Sequence, residues 1–188
     1  MGVTLANASD RRVQRTRKLL REALITLILE RGWDRITVQD VCKHAGVGRS
    51  TFYVHFADQE DLLVGSLNDL KRSLRAQASA VTPTRPLSFV SALLEHADGH
   101  RRLFRAIMGK RSGQAVQQGF RQMLFELVCE DLSRNVRPSA TRDALLRYIS
   151  GAVFELLFWW IESRSRLSGS ELELIIQRST LAVLSSLR

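Results

Sequence analysis

Apolar residues recur three, four, seven or eight positions apart along almost the whole chain, which is the spacing of one face of an α-helix. The first long segment carries such a stripe at Leu20, Leu24, Leu27 and Ile28. A later segment carries another at Leu63, Leu67, Leu70 and Leu74. No stretch alternates with period two for long enough to indicate a β-strand. The pattern therefore predicts an all-α fold with about nine helices.

The chain of 188 residues is long enough for a small domain followed by a larger one. Its composition shifts to Ala, Ser, Thr and Pro between Ala76 and Pro86, which indicates a break in the helical pattern. We therefore expect an N-terminal domain over 10–57, a connecting helix over 58–80 and a C-terminal domain over 81–188. Helices of the C-terminal domain are expected near 87–98, 100–109, 114–134, 140–164 and 171–187.

The segment "ITVQDVCKHAGVGRSTFYVHF" predicts two short helices joined by a tight corner. Thr37 is a good N-cap, with Asp40 three residues later as in a capping box, and Gly46 ends the first helix. Val47 and Phe52 are expected to turn inward. This is the arrangement of a helix-turn-helix, whose second helix fits the major groove of DNA. Spacing alone also allows an ordinary helical bundle, because any bundle contains short helices and glycine corners.

The longer stretch "ALITLILERGWDRITVQDVCKHAGVGRSTFYVHFADQEDLLVGSL" resembles the DNA-binding domain of the TetR family of transcriptional regulators, over roughly residues 13–67. The shared features are the apolar first helix, "GW" followed by "TV", the "AGV" corner, the "TFYVHF" recognition helix and the acidic "EDLL". The resemblance implies a helix-turn-helix domain followed by a larger helical bundle for ligand binding and dimerisation. It also implies a homodimer that binds an inverted-repeat operator in double-stranded DNA and releases it when a small effector enters the C-terminal domain.

By this resemblance the residues at the DNA are Thr37, Arg49, Ser50, Thr51, Tyr53, His55 and Gln59. Arg49 is expected to read a base, because arginine can pair bidentately with guanine. Ser50 and Thr51 are expected to reach bases or phosphates. Tyr53 and His55 are expected to hydrogen-bond to backbone phosphates, which fixes the register of the protein without reading sequence.

Three residues of this domain that are not expected to read bases also have expected roles. Thr37, at the exposed end of its helix, is expected to add a phosphate contact, and Phe52 and Phe56 are expected to belong to the core. The net charge of +9 suits a polyanionic partner, although both halves of the chain share the excess of basic residues.

Two positions depart from the pattern of the family. Gly48 stands where the family often has Ser or Thr as a helix cap, and is a weaker but tolerated cap. Gln59 stands where the family often has a phosphate-binding lysine, and it offers only a neutral hydrogen bond. We expect this loss to lessen the salt dependence of binding by about one unit of slope. A basic cluster on the first helix can compensate near the DNA backbone or in the minor groove: Arg11, Arg12, Arg15, Arg17, Lys18 and Arg21.

The segments "YISGAVFELLFWWIES" and "SELELIIQRSTLAVLSSL" resemble the last two long helices of the family, which usually pair with their mates in a four-helix dimer interface. Large apolar surface on late helices needs cover. The expected interface residues are Trp159, Trp160, Leu181 and Leu184. The residues expected to line a ligand cavity are Phe104, Met108, Phe120, Met123, Phe154 and Phe158. For both sets the alternative is packing within the core of their own protomer.

His96 and His100 have the spacing of two metal ligands on one helix, but Gly99 lies between them and no third ligand is fixed. We therefore expect two surface histidines and no metal. Cys42 and Cys129 are expected to be small buried residues and not a disulfide. No nucleophile elbow, phosphate-binding loop, dinucleotide fingerprint or zinc-protease motif occurs in the sequence, which predicts neither an enzyme nor a cofactor.

The most apolar run, "ISGAVFELLFWWI", has about thirteen residues and contains Glu155, which is too short for a bilayer span. We therefore expect a cytoplasmic protein without a membrane partner. The sequence predicts a DNA-binding transcriptional regulator, in the first instance a homodimeric repressor relieved by a small ligand. An activator or a ligand-independent regulator is an alternative. From another class, a helical small-molecule-binding protein or an enzyme with a structural N-terminal domain is also possible on these residues.

Overall fold

A computed structural model of the chain describes residues 3–80, 85–108, 114–132, 139–163 and 166–185, apart from the side chains of residues 3–10, 79, 80, 108 and 115. These residues contain no β-strand. Their helices are α1 Val3–Arg31, α2 Val38–Ala45, α3 Arg49–His55, α4 Gln59–Ala80, α5 Val90–Gly99, α6 Arg101–Met108, α7 Gln114–Leu132, α8 Ala140–Glu162 and α9 Gly169–Ser185. The predicted all-α fold is therefore confirmed.

The chain divides into two compact units. One consists of Met1–Ser66 with Ala106–Val116, and the other of Leu67–Arg105 with Gln117–Arg188. The predicted domains, with a connecting helix over 58–80, stay a prediction.

The core of the first unit is built on the apolar stripe of α1. Its four stripe residues are all buried, as predicted: Leu20, Leu24, Leu27 and Ile28. The helix ends at Gly32, which has a φ of 77° and donates its N–H to the carbonyl of Ile28 at 2.9 Å. Trp33 follows and is buried, so that the chain turns inward directly after the glycine. The helix begins at Val3, well before the apolar stripe, and therefore carries the basic cluster on a continuous helical surface.

In the second unit, Asp131 near the end of α7 fixes the entry to α5. Its carboxylate accepts hydrogen bonds from the backbone N–H groups of Leu87 and Ser88, the latter at 3.3 Å. Leu87 has a φ of 57°, a left-handed conformation that is unfavourable for a residue with a Cβ. Its side chain is fully buried. Burial and the carboxylate together hold a turn that the local sequence does not favour.

Charged side chains join α4 to α7 in the same unit. Lys71 pairs with Glu126 and, at 3.3 Å, with Glu130, and the guanidinium of Arg75 pairs with Glu130 as well. The hydrogen bond from Lys71 holds the pKa of Glu126 below its ordinary value, and the hydrogen bond from Arg75 does the same for the pKa of Glu130. Because both carboxylates are still partly exposed to water, these pairs orient the two helices more than they stabilise the unit.

The C-terminal end of α8 is capped by two guanidinium groups from α6. Arg101 donates to the carbonyl of Trp160 at 3.0 Å, and Arg105 donates to that of Ile161 at 2.8 Å. These carbonyls lie in the last turn, where an α-helix leaves them without a partner. Arg101 also lies 3.9 Å from the ring centroid of Trp160, whose indole N–H donates to the carbonyl of Leu167 at 2.8 Å.

The indole of Trp160 is therefore part of the core of its own chain, with 2% of its surface exposed. The prediction that Trp160 is an interface residue is therefore corrected: Trp160 is a core residue of its own chain. The neighbouring Trp159 is 49% exposed, because successive helical residues point about 100° apart.

Helix α8, with 23 residues, is the one described helix that is long and apolar enough to cross a membrane by length and composition alone. The apolar run of about thirteen residues, which by itself is too short for a bilayer span, lies inside this helix. Eight side chains of α8 are nevertheless buried within the protein, which is the behaviour of a core helix. Length and composition therefore give weak support to a membrane span here.

Candidate nucleic-acid interface

A reciprocal capping box begins α2. The hydroxyl oxygen of Thr37 accepts from the N–H of Asp40 at 3.2 Å, and a carboxylate oxygen of Asp40 accepts from the N–H of Thr37 at 2.9 Å. The Thr37 hydroxyl also donates to this carboxylate at 2.6 Å, and this bond is the largest cause that lowers the pKa of Asp40. The predicted cap is confirmed. Asp40 binds both the N–H and the hydroxyl of Thr37, and the predicted phosphate contact of Thr37 stays a prediction.

The corner between α2 and α3 depends on Gly46. This residue has φ 64° and ψ 30°, and its N–H points to the carbonyls of Cys42 and Lys43. A Cβ built at this position would meet nothing within 4 Å, so the requirement for glycine is conformational and not a matter of space. Val47 then donates its N–H to the carbonyl of Cys42 at 3.0 Å and leads into α3.

Helix α3 is held by packing rather than by its own helix-forming tendency. Its sequence, RSTFYVH, consists after Arg49 of Ser, Thr, aromatic, Val and His residues, all of which favour helix less than Ala or Leu does. Gly48 precedes it without a side-chain cap. Phe52 compensates, because its ring is fully buried and lies 5.4 Å from the ring of Tyr53 and 5.8 Å from that of Phe56. The predicted core positions of Phe52 and Phe56 are confirmed.

Most of the residues of α3 that the sequence predicts at the DNA are exposed to solvent. Arg49, Ser50, Thr51 and Tyr53 are exposed, and His55 is half-buried. The hydroxyl groups of Ser50, Thr51 and Tyr53 form no hydrogen bond with another residue in the described part of the chain. The helix therefore presents a row of free donors and acceptors beside one guanidinium group. The sequence analysis did not include Val54, which is also exposed on α3. Its position two residues after the inward Phe52 indicates this exposure, because two helical residues are about 200° apart.

Helix α4 begins with acidic side chains. Asp58 accepts from the N–H of Asp61 at 2.8 Å, and Asp61 accepts from the N–H of Ala57 at 3.0 Å. The predicted cap by Asp58 is thus confirmed. The side-chain oxygen of Gln59 is buried and forms no hydrogen bond with any residue in the described ranges. The side-chain oxygen of Gln59 is therefore withdrawn from the surface, and its predicted role at the DNA gains no support from this geometry.

A cationic group from α1 lies beside this turn. The guanidinium of Arg17 lies 5.5 Å from the ring centroid of Phe56, the residue that follows α3. Arg17 is exposed, and no acidic side chain within the described ranges pairs with it. Its neighbour Lys18, by contrast, faces Glu22 at 3.7 Å. The predicted basic cluster thus places one guanidinium next to the end of the candidate recognition helix.

The residues predicted to line an effector site lie together in the second unit, with one exception. The rings of Phe104 and Phe120 are 5.7 Å apart, those of Phe120 and Phe154 are 6.1 Å apart, and Phe158 stacks on Phe154 at 6.0 Å. Met123 is buried in the same unit, whereas the side chain of Met108 lies outside the described part of the structure. These contacts form a continuous aromatic cluster, and its role in ligand binding stays a prediction.

His96 extends this cluster, because its ring contacts Phe104 edge-on at 6.3 Å and stacks on His100 at 4.3 Å. Burial, and then the neighbouring His100, lower the pKa of His96. No group of three or more His, Cys, Asp or Glu side chains that could hold a metal occurs within the described ranges. Cys42 is a buried free thiol as expected, and Cys129 is a half-buried one. Burial raises the pKa of both thiols.

Of the four predicted interface residues, Trp159 and Leu181 are exposed and Leu184 is half-buried, while Trp160 belongs to the core. Sequence reasoning missed Tyr148 and Leu174, which are exposed large apolar residues of α8 and α9. Tyr148 lies eleven residues before Trp159 and Leu174 lies seven before Leu181, so each pair shares one helix face.

Two sequence comparisons with known proteins give matches to this chain. The model of the bacterial regulatory proteins of the tetR family matches residues 20–65. The uncharacterized HTH-type transcriptional regulator YxbF of Bacillus subtilis is 40% identical over 55 residues, which are 29% of this chain. The match spans only 14% of the length of that curated relative.

Solved structures extend the likeness beyond the N-terminal segment. A TetR transcriptional regulator from Streptococcus agalactiae has a TM-score of 0.67 and 27% identity, with 93% of this chain and 98% of that chain covered. Thermus thermophilus FadR, a repressor solved with lauroyl-CoA, has a TM-score of 0.64 and 19% identity, with 88% and 93% covered. The second likeness shows a shared fold alone.

Proposed function

We infer that this chain, which belongs to the TetR family of bacterial regulatory proteins, is a non-enzymatic transcriptional regulator that binds double-stranded DNA as a homodimer at an inverted repeat. The observation that carries this proposal is the geometry of α3, which Phe52 anchors in the core on one side. Ser50, Thr51 and Tyr53 point away from this side into solvent, and Arg49 is exposed in the first turn of the helix. A helix held in this way can enter a major groove, whose width admits one helix.

The exposed residues of α3 divide into two chemical classes. Arg49 can form two parallel hydrogen bonds to guanine, and Ser50 and Thr51 can donate to or accept from base edges. Tyr53 and His55 lie on the flanks of the helix and reach phosphates, which position the protein without reading sequence. Thr37 and Gln59 are the weakest members of the predicted set, since Asp40 engages the first and the oxygen of the second is buried.

Arg17 supplies a phosphate contact that Gln59 does not. Its guanidinium is positioned by Phe56 at 5.5 Å, next to the C-terminal end of α3. A planar guanidinium presents several N–H donors to a phosphate while it stays on an aromatic ring. Lys18, which faces Glu22, is the member of the cluster with the weakest claim to the same role.

The homodimer is supported by apolar side chains on the outer faces of α8 and α9. Trp159 is 49% exposed and Leu181 is 52% exposed, with Tyr148 and Leu174 on the same two faces. Large apolar side chains gathered in this way indicate an interface, because exposed groups of this size are costly in water. Pairing of α8 and α9 with their mates would cover all four.

The proposed regulation is relief of repression by a small, largely apolar effector in the second unit. The aromatic cluster around Phe120 and Phe154 is the site with matching chemistry. Thermus thermophilus FadR, which shares this fold, was solved with lauroyl-CoA. An effector that binds one spacing of the two recognition helices better than the other shifts the dimer between a DNA-binding and a released state. A regulator of this kind acts on the chromosome and belongs in the cytoplasm.

The proposal is tested by titrating the full chain with the DNA that flanks its own gene. Binding should be tight, salt-sensitive and specific for an inverted repeat, and Arg49→Ala and Tyr53→Ala should each weaken it. Arg102→Ala is the matched control, because it removes one exposed guanidinium from α6 in the other unit, away from the proposed dimer faces of α8 and α9. Equal affinity for this DNA and for random DNA, or equal effects of Arg49→Ala and Arg102→Ala, would contradict the proposal.

A further inference from the structure

Val54 is the most exposed of the large apolar residues in the described part of the chain, with 77% of its surface in contact with solvent. It follows the buried Phe52 by two residues, which corresponds to about 200° of helical rotation. Ser50 precedes Phe52 by the same interval. Ser50 and Val54 therefore form the outermost ridge of α3, directly opposite the side that packs into the core.

The choice of valine at this position is unfavourable for the free protein. Its β-branch lowers helix stability relative to alanine, and α3 already lacks a side-chain cap. Val54 offers no hydrogen bond, so it cannot bind phosphate or the polar edge of a base. Local sequence that works against the local structure is characteristic of a functional position. The nearest neighbours on its surface, Ser50 and Thr51, are polar groups suited to DNA and not the rim of a protein interface.

We propose that Val54 contacts the 5-methyl group of a thymine in each half-site and thereby selects thymine over cytosine at that base pair. This inference rests on the proposed DNA-binding function and assigns one specificity position within it. The thymine methyl is the only apolar group that the base edges present in the major groove. The outermost ridge of a helix lying in that groove is the part that reaches its floor. A branched apolar side chain there matches a methyl group and nothing else on the floor.

Helical geometry also gives the place of this thymine relative to its neighbours. Ser50 and Val54 are four residues apart, which is about 6 Å along the helix axis. Base pairs follow one another at about 3.4 Å. The thymine should therefore lie about two base pairs from the base that faces Ser50.

The test removes the methyl group from each side of the contact in turn. An operator is first selected from random DNA with the wild-type chain, and each thymine is then replaced by deoxyuridine, which lacks only the methyl. Affinities of wild type and Val54→Ala for every version are measured by fluorescence anisotropy. The affinity of wild type should fall about fourfold when deoxyuridine replaces one particular thymine in each half-site, because one apolar contact is lost. Val54→Ala should bind the thymine operator about fourfold more weakly per half-site. Its affinity should stay the same when deoxyuridine replaces that thymine.

Two measurements separate this contact from a structural role of Val54. The melting temperature of Val54→Ala should equal or exceed that of wild type, because alanine favours the helix. Val54→Thr, which keeps one methyl branch, should retain part of the preference for thymine. Equal loss of affinity on thymine and deoxyuridine operators, or unchanged affinity of Val54→Ala, would overturn the inference.

The outcomes also distinguish this inference from the proposed function. If no sequence is enriched from the pool, the regulator and the thymine contact are both refuted. If an operator is enriched and depends on Arg49, but no thymine is coupled to Val54, only the inference fails.

Discussion

Replacing Arg17 by alanine should reduce the salt dependence of DNA binding without changing which sequence is bound. The guanidinium lies over Phe56 at 5.5 Å and has no acidic partner in the described ranges, so its charge is available to a phosphate. Each phosphate contact adds about 0.9 to the slope of the logarithm of affinity against the logarithm of salt concentration. A homodimer that loses two such contacts should therefore show a slope smaller by about 1.8.

This slope has a direct consequence for affinity. Between about 50 and 200 mM salt, a fourfold increase, the affinity of the variant should fall about twelvefold less than that of wild type. The assay is fluorescence anisotropy with one labelled operator over this range of salt, repeated with a mismatched operator. Because phosphate contacts carry no sequence information, the ratio of the two affinities should stay the same.

The matched control is Lys18→Ala, which removes the same charge one residue away. Its ammonium group faces Glu22 at 3.7 Å. Loss of this group should therefore change the slope by less than about half of the 0.9 that one phosphate contact adds. Arg17→Lys keeps the charge and should keep most of the slope. If Arg17→Ala and Lys18→Ala have equal slopes, the cluster acts through its total charge, and the specific position of Arg17 on Phe56 has no role.

Three further predictions concern the second unit. In urea unfolding, Leu87→Gly should be more stable than Leu87→Ala by about 1 kcal/mol, because glycine adopts a φ of 57° more easily than alanine does. Inside a helix alanine is the more stable of the two, and that order at position 87 would contradict the left-handed turn. Burial and His100 lower the pKa of His96, so its contribution to stability is present above its ordinary value of 6.5 and is lost as pH falls. His96→Gln should therefore flatten the decline of stability below about pH 6.5, and an unchanged decline would refute this. Leu181→Glu should convert the dimer to monomer in sedimentation, whereas Ser179→Glu, on another face of α9, should leave it intact.

Features set by near neighbours in the chain were predictable. Thr37 and Asp40 are three residues apart, and their capping box follows from this spacing. Gly46 takes a positive φ because the corner is tight, and Phe52 is buried because the apolar pattern places it inward. Each depends on a few residues and on the geometry of one helix end.

Features that join distant segments were not predictable from the sequence. Arg17 and Phe56 are 39 positions apart, and the pattern of α1 identifies a basic cluster without showing which member meets the turn after α3. Trp159 and Trp160 are adjacent and chemically identical, so only the packing of Arg101 and Leu167 shows that the second is the core residue. The buried oxygen of Gln59 likewise results from tertiary packing and has no signal in the sequence.

The most direct test of the central claim is selection of bound sequences from a random pool of double-stranded DNA by the full chain. The claim predicts enrichment of an inverted repeat whose half-sites are about one helical turn, 34–36 Å, or a multiple of it apart. Each half-site should contain a guanine whose enrichment disappears with Arg49→Ala. A pool that stays random, or an enriched sequence that Arg49→Ala and Tyr53→Ala leave unchanged, would contradict the assignment of α3 as a DNA-reading helix.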